Sequence, residues 1–181
     1  MRTCRDVELR ECTPNDAATV ADIVRRSYWG QPLTQVPADM PIYHAEYHAD
    51  AMLDAQSRWR LLEAGGRVVG VIMWRALPSL AHLHLLFVDA GSQGKGYGSM
   101  LLKRFQIEAH REDPSLRILT LHCLSDAHRT VRFYKRHGYT QYNDGDEGRV
   151  IDLYLWLDAA KRHDTSWPLK KDKLLFYKLM R

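Results

Sequence analysis

Leu83-His84-Leu85-Leu86-Phe87-Val88-Asp89-Ala90-Gly91-Ser92-Gln93-Gly94-Lys95-Gly96-Tyr97-Gly98-Ser99-Met100-Leu101-Leu102-Lys103-Arg104-Phe105 is the stretch on which the reading of this chain turns. The apolar run Leu85 to Val88 meets a glycine-dense turn, Gln93 to Gly98, and a stripe at helical spacing follows: Leu101, Leu102, Phe105 and Ala109. The order is strand, glycine loop, helix. Such a turn sets bare backbone N–H groups at a helix N-terminus, where they can cradle a phosphate. Glycine allows positive φ and close approach of a ligand; the plain alternative is only a tight turn.

Two nucleotide motifs can be tested against this spacing. A Walker loop needs Gly-Lys followed by Ser or Thr, and Lys95 is followed by Gly96. A dinucleotide fingerprint needs G-x-G-x-x-G early in a βαβ unit, whereas Gly94-x-Gly96-x-Gly98 has a different spacing and lies mid-chain.

Outward from the loop, Asp6 to Glu11 alternates as a strand. Thr13-Pro14-Asn15-Asp16 has the chemistry of a helix start, and Ala17, Val20, Ala21, Val24 and Tyr28 continue at helical spacing. Residues 29–41, with Gly30, Pro32, Pro37 and Pro41, read as a loop, and a second helix is expected over Tyr43 to Ala55. Trp59 to Glu63 and Arg67 to Ala76 form a hairpin through Ala64-Gly65-Gly66, and His82 to Val88 is the next strand. Arg117 to His122 is a strand, and Asp126 is expected to cap a helix closed by Gly138. Tyr139 to Tyr142 and Leu174 to Met180 are further strands. Residues 144–170 fit helix and strand patterns equally around Val150 to Leu157, and Ala159-Ala160-Lys161-Arg162 tips the expectation to a helical insertion before the last strand.

The chain has 181 residues, which suits one domain over 1–181. Lys and Arg exceed Asp and Glu by 26 − 22 = 4, a mild, dispersed excess that suits an anionic cofactor and does not argue for nucleic acid. Three cysteines, Cys4, Cys12 and Cys123, lack metal-ligand spacing and are expected to be reduced thiols in a cytoplasmic protein. The charged N-terminus has no signal core, and the longest apolar run is far short of the roughly 20 residues of a membrane helix. No metal site is expected: His44 and His48 stand i, i+4 but lack the Glu and third ligand of a zinc site.

The glycine loop resembles motif A of the GNAT superfamily, the acetyl-CoA-dependent N-acyltransferases: Gln or Arg-x-x-Gly-x-Gly or Ala, matched by Gln93, Gly96 and Gly98. Phe133-Tyr134-Lys135-Arg136-His137-Gly138-Tyr139 is similar to that family's second signature, about 36 residues on. The resemblance covers roughly Asp6 to Tyr142. It implies an α/β (α+β) fold: a mixed, mostly antiparallel sheet of six to seven strands, about four flanking helices, and a splay at the cofactor site. It also implies an N-acetyltransferase that moves an acetyl group from acetyl-CoA directly to a primary amine, small or peptidic. The alternative is a non-catalytic acyl-CoA-binding module.

By the same resemblance, the pyrophosphate lies on Gln93, Gly94, Lys95, Gly96, Tyr97, Gly98 and Ser99. The pantetheine arm runs along Leu86, Phe87 and Val88, where a bulge and a backbone N–H would polarise the thioester carbonyl. Tyr134 is the expected general acid for the leaving thiolate. His82 and His84, a His-x-His similar to that of arylalkylamine N-acetyltransferases, are candidates for the base, ahead of Glu63 and a water chain. Tyr28, Trp29 and Tyr43 fall in the segment that builds the acceptor pocket. One departure stands out: many members carry an Asn before the Tyr helix, and this chain has Ser125-Asp126-Ala127-His128 there. The segment 144–168 is expected either to cover the pocket or to form a homodimer contact.

Overall fold

Runs of buried apolar residues along three hairpin-linked strands set the architecture of the first half. The computed structural model describes residues 7–27, 40–143 and 173–180. Its contacts divide the chain into two compact units, Met1–Leu116 and Arg117–Arg181.

In the first unit β1 (Val7–Glu11), β2 (Ser57–Ala64), β3 (Arg67–Leu77) and β4 (Leu80–Val88) lie side by side in that order, all antiparallel. The connection from β2 to β3 is the pair Gly65-Gly66. Pro78-Ser79 joins β3 to β4, and the Ser79 N–H donates to Asp113 Oδ2 at 3.0 Å. The helices are α1 (Ala17–Ser27), α2 (Ala45–Met52) and α3 (Tyr97–Glu112). The second helix is shorter than its periodicity predicts. Its N-terminal end is a 3-10 turn, Pro41–Tyr43, and Asp54 turns the chain at the other end by accepting the Gln56 N–H at 2.9 Å.

Leu101, Leu102 and Phe105 of α3 are fully buried, as are Leu61, Leu62, Ile72 and Trp74 of the strands. Each such side chain contributes about 1.5–3 kcal/mol of transfer free energy. Phe105 meets Trp74 at 5.5 Å between ring centroids. Gly70 of β3 makes this packing possible: a Cβ there would stand 2.9 Å from Leu101 Cδ1 and 3.1 Å from the Phe87 carbonyl. At the start of α1, the helix-start signal is realised as a 3-10 turn, Pro14–Asp16. The Asp16 carboxylate accepts the two Arg10 Nη nitrogens at 2.9 and 2.7 Å and the Thr13 N–H at 2.8 Å, which lowers its pKa to about 2.

The second unit holds β5 (Ile118–Leu124), α4 (His128–Arg136), β6 (Thr140–Gln141) and β7 (Lys173–Leu179). β7 pairs antiparallel with both β5 and β6, around buried Leu119, Leu121 and Phe176. Among the described residues the two units carry seven strands and four α-helices, the mostly antiparallel α/β class that the resemblance implies. Two expectations differ. The N-cap of α4 is Ala127, not Asp126, and no side chain caps it; Asp126 instead offers its backbone carbonyl to the His128 N–H. The irregularity of β4 falls at His84, two residues before Leu86. The helical reading of 144–170 lies outside the described residues, as do Tyr28 and Trp29.

Candidate active site

The loop after β4 is braced from within. The Ser92 N–H closes a turn on the Asp89 carbonyl at 2.8 Å. Gln93 Nε2 reaches back to the Val88 carbonyl at 3.0 Å, and Lys95 Nζ to the Gly91 carbonyl at 2.8 Å. The side chains of Gln93 and Lys95 therefore hold the loop's shape. Gly94 and Gly96 have φ of 75° and 89°, a region that L side chains rarely adopt, and a Cβ at either would meet nothing within 4 Å. Conformation rather than crowding demands glycine here, and the loop's face is open.

Gly96 is the N-cap of α3. The first helical bond runs from the Met100 N–H to the Gly96 carbonyl at 3.1 Å, so the N–H groups of Tyr97 and Gly98 stand ahead of the helical ladder. With the positive end of the α3 dipole, such an arrangement is able to hold an anion. Tyr97 turns its ring into the core, whereas Gly98 and Ser99 are half-exposed.

One acid sits at the base of this loop. Asp89 is 8% exposed, its N–H donates to the Val69 carbonyl at 2.9 Å, and its Oδ1 pairs with Arg26 Nη1 at 3.2 Å. Arg26, in the last turn of α1, also pairs with Asp22 at 3.1 Å. The two members of the Arg26–Asp89 pair are 63 residues apart, and no sequence periodicity links them.

The register of β4 against β3 sets Met73 opposite Leu85 and Trp74 opposite Leu83, leaving His84 as the extra residue of a β-bulge. Strict alternation therefore does not hold there. His82 is buried and His84 exposed, yet their rings meet edge to face at 4.6 Å. Leu86 and Phe87 are half-buried and Val88 is buried. Glu63 is taken up by Arg10, whose Nε donates to it at 2.6 Å. Tyr43 is buried in its 3-10 turn, and its carbonyl accepts the Arg25 guanidinium.

In the second unit, Tyr134 sits two residues before the end of α4. The Gly138 N–H bonds the Lys135 carbonyl at 3.1 Å and the Tyr139 N–H bonds the Tyr134 carbonyl at 3.1 Å. This pair, with Gly138 at φ 81°, is a Schellman motif. Its customary apolar contact is made by the rings of Tyr134 and Tyr139, 5.8 Å apart, with Phe133 at 5.2 Å and Phe176 at 6.4 Å from Tyr134. Burial, then the neighbouring Cys123 and Tyr139, push the Tyr134 phenol well above its ordinary value of 10.0. Burial likewise pushes the Cys123 thiol up to about 11, which leaves it a poor nucleophile. His48 of α2 is a core residue: it is fully buried, with Nε2 on the Ile42 carbonyl at 2.8 Å. Among the described residues no three His, Cys, Asp or Glu side chains gather as a metal site, and no helix is long and apolar enough to cross a membrane.

Known proteins share this fold. The fold is similar to that of the PaiA N-acetyltransferase of Thermoplasma acidophilum, solved in complex with coenzyme A, with a TM-score of 0.70, 15% identity and coverage of 97% of this chain and 99% of that one. It is similar to the ribosomal-protein-S18-alanine N-acetyltransferase of Escherichia coli, with a TM-score of 0.68, 13% identity and coverage of 96% and 93%. Ard1 of Thermoplasma volcanium matches with a TM-score of 0.65, 18% identity and coverage of 97% and 98%. No curated protein matches. The model of the acetyltransferase (GNAT) family matches residues 21–139, more than half of the chain, and includes the glycine loop, both histidines and Tyr134. The chain belongs to the GNAT acetyltransferase family.

Proposed function

We propose that this protein transfers the acetyl group of acetyl-CoA directly to a primary amine. The observation that carries the reading is the turn from β4 to α3, where two left-handed glycines with open space about them lead into a helix N-terminus. That geometry suits the pyrophosphate of coenzyme A. A similar structure that holds coenzyme A, and two named as N-acetyltransferases, favour this donor and an amine acceptor.

In the proposed reaction the neutral amine attacks the thioester carbonyl, and a backbone N–H of Leu86–Val88 stabilises the oxyanion. Collapse expels the thiolate, which takes the proton of Tyr134, and the proton that the attacking nitrogen sheds as the amide forms returns the phenol to its neutral state. The Schellman turn and ring packing that hold Tyr134 in one position support the acid role. An amine of pKa about 10.4 is mostly protonated at pH 7 and must lose a proton before attack. The exposed imidazole of His84 is the proposed acceptor of that proton, with His82 against it as the relay. Tyr28, Trp29 and Tyr43 are proposed to line the acceptor pocket.

The test is amine-dependent release of free CoA thiol from acetyl-CoA over a panel of small amines and peptides. Turnover with at least one amine is expected. Thermal stabilisation by acetyl-CoA with no turnover across the panel would replace the reading with a non-catalytic acyl-CoA-binding module.

A further inference from the structure

We infer that Arg26 is the counter-ion that lets the glycine loop accept a polyanion, by cancelling the buried charge of Asp89. The inference rests on the proposed binding of coenzyme A at that loop. Between Val88 and Ser99 the chain carries two charged side chains, Asp89 and Lys95. Lys95 is exposed and its Nζ is turned onto the Gly91 carbonyl. Asp89 is 8% exposed and lies under the loop: its carbonyl closes the 3-10 turn Ala90–Ser92, and a Cβ on Gly91 would stand 3.4 Å from its Oδ2. A buried carboxylate at the root of an anion cradle opposes the ligand, because low local dielectric lengthens the reach of its charge. The Arg26 guanidinium at 3.2 Å removes most of that opposition. Its own helix supports it: Asp22, one turn back, pairs with the second guanidinium nitrogen at 3.1 Å. Arg26 is thus a positioning and charge-compensating residue, one residue before the end of α1.

A purely structural role and an electrostatic one part ways on the double variant. If Arg26 only tied α1 to the loop, removing Asp89 as well would not restore binding. If it cancels charge, removing both charges restores it. The experiment is calorimetric titration of coenzyme A into the wild type, Arg26→Gln, Arg26→Lys, Asp89→Asn and Arg26→Gln/Asp89→Asn, with a thermal melt of each to confirm folding. Arg26→Gln is expected to raise Kd by about fivefold at low salt and less at high salt, since screening shortens the repulsion. Arg26→Lys is expected to bind like the wild type, Asp89→Asn as well or better, and the double variant within about twofold of the wild type. Binding by the wild type with Arg26→Gln unchanged, or with the double variant no better than Arg26→Gln, overturns this proposal alone. No binding by the wild type overturns the coenzyme A reading and this proposal together.

Discussion

The glycine loop and the end of α4 carry the chain's two signatures and are built from opposite materials. The loop is backbone: Gly94 and Gly96 present N–H groups, while Gln93 and Lys95 spend their side chains on bracing. The end of α4 is side chain: a Schellman turn fixes the Tyr134 ring among Phe133, Tyr139 and Phe176. An anion cradle needs many weak donors in a fixed curve, which the backbone supplies. The proposed proton donor needs one hydroxyl held in one place, which ring packing supplies. Substitutions should therefore fail differently in the two regions: by main-chain strain in the first, and by loss of a single hydroxyl in the second.

The largest expected effect comes from the side-chain region. Tyr134→Phe keeps the ring packing and removes only the hydroxyl, so kcat should fall by about 100-fold or more with Tm nearly unchanged. Equal activity across pH would show that Tyr134 is not the acid. In the loop, Gly96→Val forces a β-branched residue to φ near 89°, a strain of about 1–3 kcal/mol, and should weaken coenzyme A binding more than tenfold in a titration. Gly70→Ala sharpens the contrast, because this glycine serves packing. Its added Cβ meets Leu101 Cδ1 at 2.9 Å, so denaturant unfolding should show a loss of about 1–3 kcal/mol. Asp16→Asn lies outside both regions and should change stability alone. The Asp16 carboxyl has a folded pKa lowered to about 2, first by the Arg10 hydrogen bond, so its contribution is present above its unfolded value of 3.8 and disappears as pH falls through 2. With the Arg10 side chain 36% exposed, about 1 kcal/mol should be lost at pH 7 and only a small part of that at pH 2, where the folded carboxyl is half protonated, measured by urea unfolding at both.

Local chemistry was readable in the sequence wherever a short segment determines its own geometry. Gly138 followed by Tyr139 dictates the turn after α4, and the density of glycine from Gly94 to Gly98 dictates the loop. Element order followed from periodicity, with ends moved by turn chemistry such as that of Asp54. Features that depend on partners distant along the chain were not readable. The extra residue at His84 appears only when β4 is set against β3, and it moves the bulge upstream of Leu86–Val88. Asp126 has the side chain of a cap, but the chain enters α4 one residue later through Ala127. The need for Gly70 shows only once Leu101 packs over it, and the Arg26–Asp89 pair only once α1 lies beside the end of β4.

The backbone N–H cradle is the central claim, and amide chemical shifts report on it most directly. Coenzyme A titrated into isotopically labelled protein should move the amide resonances of Gly94 to Ser99 most, in a saturable way. Saturable binding that leaves those amides unmoved and shifts others would contradict the account.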